Sequence, residues 1–129
     1  MSTVNIVSGY SFVIREILHD INLISHMLIN ISRNTNDTNR EILLSLSNNL
    51  SDSSSLIKQQ YSLLFCLPPP SESIQRNSED INSLIILQNN LANKLSRLSK
   101  NAPTKKLSIE YQDLSHQLIN NSYLLLIMK

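Results

Sequence analysis

Residues 78–100 read SEDINSLIILQNNLANKLSRLSK, and their spacing decides the fold. Ile81, Leu84, Leu91, Leu95 and Leu98 fall on one helical face, in the three-and-four steps of a heptad. Gln88 holds the seam position between Leu84 and Leu91, where a coiled coil asks for an apolar residue. The stretch therefore predicts an amphipathic helix over about 72–100, packed along its apolar stripe, with one amide inside the seam.

The same device recurs on both sides. Upstream, Val7, Tyr10, Ile14, Ile17, Ile21, Ile24, Leu28 and Ile31 alternate in steps of three and four and predict a helix over about 8–33. Val13, Leu18 and Ile29 widen this stripe, which suggests more than one neighbouring helix. RNTNDTN, residues 33–39, interrupts it, because Asn, Asp and Thr side chains compete with the helix for backbone groups. Thr38 and Glu41 have capping-box spacing, so a second helix is expected from Thr38, with one long bent helix as the alternative. Leu43, Leu46, Leu50, Ile57 and Leu64 carry its seam, Ser53 and Gln60 weaken it, and SDSSS at 51–55 reads as a soft spot. Pro68, Pro69 and Pro70 must end it, and Ser71 or Ser73 can cap the next helix. Downstream, Asn101-Ala102-Pro103 ends the third helix, and Pro103 suits the first turn of a fourth. There Leu107, Tyr111, Leu114, Leu118, Leu125 and Met128 follow the seam, with Asn121 at one heptad position.

Composition agrees with an all-α chain. The 129 residues are 41% apolar but only 5% aromatic, with no Trp, which suits Leu/Ile helix seams better than a thick core. The single glycine, Gly9, leaves no Gly-rich phosphate loop and too few turn residues for a sheet protein. A net charge of +1 gives no electrostatic reason to expect nucleic acid. Cys66 is the one cysteine, so no internal disulfide forms and a reducing compartment fits. MSTVNIVSGYSF lacks the pattern of a secretory signal, and no apolar run approaches the roughly 20 residues of a membrane span.

Signals for chemistry are weak. Among His19, His26 and His116, Glu16 and His19 have the Glu-x-x-His spacing of helical metal sites, but no second copy of that motif exists. Neither a metal nor a cofactor is expected. Cys66 has no cation or helix N-terminus nearby in sequence and reads as a small apolar packing residue. No nucleophile elbow or carboxylate pair points to catalysis, so a non-enzymatic protein without a small-molecule substrate is expected. Lys94, Arg97, Lys100, Lys105 and Lys106 form the one basic block. It reads either as a contact for an acidic surface or as a solvated helix end favoured by the dipole.

Residues 79–91, EDINSLIILQNNL, followed by Lys94-Leu95-Ser96-Arg97-Leu98, resemble the helical segments of Snapin and KxDL-type proteins. Those are small coiled-coil subunits of complexes that position lysosomes and build lysosome-related organelles. Tyr111-Gln112-Asp113-Leu114 keeps the Asp-Leu of the Lys-x-Asp-Leu signature but has Tyr in the Lys position. The resemblance implies a cytoplasmic, non-catalytic subunit of an elongated hetero-oligomer, peripheral to endolysosomal membranes.

The expectation is thus an all-α chain of three or four long amphipathic helices, forming an elongated helical bundle or coiled coil. It is one domain over 1–129, with breaks near 33–38, 67–72 and 101–104. The chain either closes into its own four-helix bundle or stays an open rod completed by other chains, and sparse aromatics favour the rod. The expected partner-helix interface is Ile14, Ile17, Ile21, Ile24, Leu28 and Ile31 on one helix and Ile81, Leu84, Gln88, Leu91, Leu95 and Leu98 on another. Gln88, Asn77 and Asn121 either fix register and partner choice or lie at a solvated rim. A subunit of a nuclear helical assembly and a self-contained bundle that binds a small ligand are the alternative functions.

Overall fold

The computed structural model describes residues 3–69 and 80–128, with side chains from Gly9 onward. Four helices make up the fold: α1 (Thr3–Ser32), α2 (Asp37–Phe65), α3 (Ile81–Lys100) and α4 (Lys105–Met128).

The helix ends follow capping chemistry, and several differ from the sequence expectation. α2 is capped by Asn36, whose side chain accepts from the Asn39 N–H at 3.0 Å. The Thr38 capping box is therefore not the cap: the short Asx side chain two residues earlier satisfies the orphan N–H first. Arg40 ties the α1–α2 turn by donating to the carbonyls of Ser32 and Thr35 at 3.0 and 3.1 Å. α2 passes unbroken through 51–55, because Ser54 faces inward and is buried there. It ends at Phe65, with Cys66 in the left-handed region at φ 55° and its N–H donating to the Ser62 carbonyl. Cys66 is exposed and does not pack as a small apolar residue.

α3 starts at Ile81 rather than near 72, since Asp80 caps it by accepting from the Asn82 N–H at 3.1 Å and the Ser83 hydroxyl at 3.0 Å. Ser71, Ser73 and Asn77 lie outside the described residues, as does the side chain of Val7. Pro103 stands just ahead of α4 rather than in its first turn. Thr104 is the cap there, accepting from the Leu107 N–H at 3.1 Å.

Two hairpins, α1–α2 and α3–α4, are each tightly packed, and sparser contacts join α1 to α3 and α2 to α4. These four contacts close a ring, so the chain forms a closed bundle and not the favoured open rod. The register within each hairpin is constant. Along α1–α2, Ser11 meets Tyr61, Ser25 meets Ser47, and Arg40 meets the Ser32 carbonyl. Along α3–α4, Ser115 donates to the Ala92 carbonyl at 2.8 Å and Ser108 to that of Ser99 at 2.6 Å. Both hairpins are antiparallel.

Small residues at these contacts explain the close approach. Ser25, Ser47, Ala92, Ser99 and Ser115 are buried, and a short side chain on each helix lets the backbones come near. That closeness also supplies the core that sparse aromatics do not. Ile14, Ile17, Leu18, Ile21, Ile24, Leu28, Leu50, Leu84, Leu95, Leu118 and Leu125 are fully enclosed. Each such side chain contributes about 1.5–3 kcal/mol on leaving water. At one end, Tyr10 stacks at 6.3 Å on Tyr61, and both contact Phe65 at 5.5 and 4.9 Å. This cluster places the start of α1 beside the end of α2. The Tyr10 hydroxyl also bonds that of Tyr111, bringing in the start of α4.

Candidate functional site

The residues read as a partner seam lie in the chain's own core. Ile14, Ile17, Ile21, Ile24, Leu28, Ile31, Leu84, Gln88, Leu91 and Leu95 are buried, while Ile81 and Leu98 are half-buried. Other helices of the same chain fill that role, so a foreign helix reaches the buried ones only by opening the bundle.

Gln88 is wholly enclosed, and neither its Nε2 nor its Oε1 has a hydrogen-bond partner. Asn121 is 3% exposed, and its Nδ2 is also unpaired. The solvated-rim alternative therefore fails for both. Carrying the α3–α4 register along the helices puts Gln88 opposite the turn that holds Leu118 and Asn121. Each unsatisfied buried group costs about 1–3 kcal/mol.

Within the basic block, Lys94 and Arg97 line one groove beside Asp20. Lys94 pairs with Asp20 of α1 at 3.0 Å, tying the two hairpins together. Arg97, Lys100, Lys105 and Lys106 are exposed, spread over the end of α3 and the start of α4. Among the described residues no group of three His, Cys, Asp or Glu side chains could hold a metal, and no helix is long and apolar enough to cross a membrane. The grooves at Gln60–Leu63–Leu64–Thr104–Leu107 and at Asp20–Leu87–Asn90–Lys94–Arg97 are open surface depressions.

The tyrosine pair is the most perturbed titratable feature. Burial first, and then the adjacent Tyr10, push the Tyr111 hydroxyl far above the ordinary tyrosine range. Burial also raises Tyr10, partly offset by its bond to Tyr111. Both hydroxyls stay protonated at neutral pH, and they serve as a link between α1 and α4.

What the sequence reading missed is the distribution of charge. Asp20, Asp52, Lys94 and Asp113 fall at one level of the bundle. The Asp20–Lys94 pair fixes α1 against α3, the Ser25–Ser47 register puts Asp52 opposite Asp20, and the Ser115–Ala92 register puts Asp113 opposite Lys94. Beyond that level, residues 21–32, 42–51, 81–93 and 114–128 contain no Asp, Glu, Lys or Arg at all. The charges return at the far end, in Arg33, Asp37, Arg40, Glu41 and Asp80. An uncharged band about 15–22 Å tall therefore encircles one half of the bundle. Asn, Ser, Gln and His make up its polar part. Leu44, Ile86, Ile119, Tyr123, Leu124, Leu126 and Ile127 are exposed on it.

The fold and surface define a small all-α four-helix bundle with a charge-free band. Comparison of the chain with protein-family models, with curated proteins and with solved structures finds no match.

Proposed function

We propose that this chain is a non-catalytic helical subunit that assembles with other helical proteins into a hetero-oligomer. The observation that carries this reading is the uncharged band with its exposed apolar side chains, on a bundle whose core is already closed. Contiguous exposed apolar surface on a soluble domain marks an interaction site, and depletion of charge is the compositional signal of an interface core. Shallow open grooves suit a helix face better than a small molecule. The endolysosomal setting belongs to the proposal as well, and it rests on the resemblance of residues 79–98 alone. Contact with a membrane would then be peripheral.

Co-purification of the tagged full chain at native expression tests the reading. Leu44→Lys with Ile86→Lys should remove stoichiometric helical partners while leaving the fold intact, because both side chains are exposed. Partners that survive this double substitution would overturn the band as their binding surface. The identity of the captured chains separates an endolysosomal from a nuclear assembly.

A further inference from the structure

The outward face of α4 carries a second seam that the bundle does not use. Ile119, Tyr123 and Leu126 recur in steps of four and three and are 38, 63 and 51% exposed. Ile127, at 80% exposure, extends the stripe. Beside it, Ile85 and Asn89 of α3 line a shallow groove together with Ser122. Heptad steps on an outer face are what one helix needs to pack along another.

Charge narrows the occupant. A helix bearing Lys, Arg, Asp or Glu at the contact would lose hydration against Ile119 and Leu126 and gain no opposite charge, since residues 81–93 and 114–128 have none. The occupant must therefore present apolar and uncharged amide groups. This face is itself such a surface. An amide carries both donor and acceptor, so Asn89 at the edge of this face brings no charge to the contact and can still bond a polar group of a second copy. Tyr123 lies mid-stripe. With a two-fold axis through it, Ile119 of one chain meets Leu126 and Ile127 of the other, as an isologous interface requires.

We propose that α4 pairs antiparallel with α4 of a second copy about Tyr123, forming a two-fold dimer. This rests on the assembly function proposed above and makes two copies of the chain the unit that assembles.

Sedimentation velocity of the purified full chain over a wide concentration range is the test. The expected mass is twice the 14.7 kDa of the chain. Tyr123→Lys puts two ammonium groups on the axis and should give a monomer with unchanged circular dichroism. Tyr123→Glu should do the same alone, and an equimolar mixture of the two variants should dimerise again. Such rescue arises only where residue 123 meets its own copy. A wild-type chain that stays monomeric, or a dimer that Tyr123→Lys leaves intact, would overturn the proposal. A monomeric wild type that still captures other helical chains overturns the dimer and leaves the subunit function standing. A Tyr123-dependent dimer that captures no other chain supports the dimer and overturns the hetero-oligomer.

Discussion

Gln88→Leu should stabilise the protein. The side chain is fully enclosed and both of its polar atoms lack partners. Leucine removes two unsatisfied groups, each worth about 1–3 kcal/mol. Its branched shape requires repacking that opposes the gain by less than about 1.5 kcal/mol. Taking the lower figure for each group, the net expectation is a gain of at least about 0.5 kcal/mol, or about 2 °C or more in Tm for a chain of this size. Urea unfolding followed by circular dichroism reads it as a higher midpoint with an unchanged slope. An unchanged or lower midpoint would refute the reasoning, because it would mean that the amide is paired inside the isolated bundle.

Other substitutions probe the rest of the account. Leu91→Ala, at a position 1% exposed, should cost about 2–5 kcal/mol in the same urea assay. Asn36→Ala should cost about 1 kcal/mol and Thr38→Ala close to none, since Asn36 makes the capping bond. Alkaline titration should unfold the chain as the pH rises above about 10. There the unfolded tyrosines ionise, while Tyr10 and Tyr111, both raised in the folded bundle, resist ionising, so stability present below that pH is progressively lost. Tyr111→Phe should flatten this loss in a pH series of thermal melts.

Apolar positions were legible because a helix repeats its inward face every three or four residues. That periodicity located Ile14 to Ile31 and Leu84 to Leu95 in a seam, although it did not say which helix fills it. Closure depended on Ser25, Ser47, Ala92, Ser99 and Ser115, and a serine buried at a helix contact looks the same in sequence as one on the surface. For the same reason 51–55 looked weak although Ser54 packs inward. Helix starts shifted because several adjacent residues can cap: Asn36 and Thr38 both qualify by type, and geometry chooses. The uncharged stretches were visible one by one. Their alignment into a band needed the register between helices, which contacts such as Asp20–Lys94 and Ser25–Ser47 supply.

Hydroxyl-radical footprinting of the assembled complex against the isolated chain tests most directly whether the uncharged band is the working surface. Leu44 and Ile86 on the band are exposed and lie outside the α4–α4 contact, and Phe12 and Leu63 are exposed at the charged half, so both regions report. If the band is the working surface, assembly protects Leu44 and Ile86 while Phe12 and Leu63 keep their reactivity. Protection confined to Phe12 and Leu63, with the band still reactive, would contradict it.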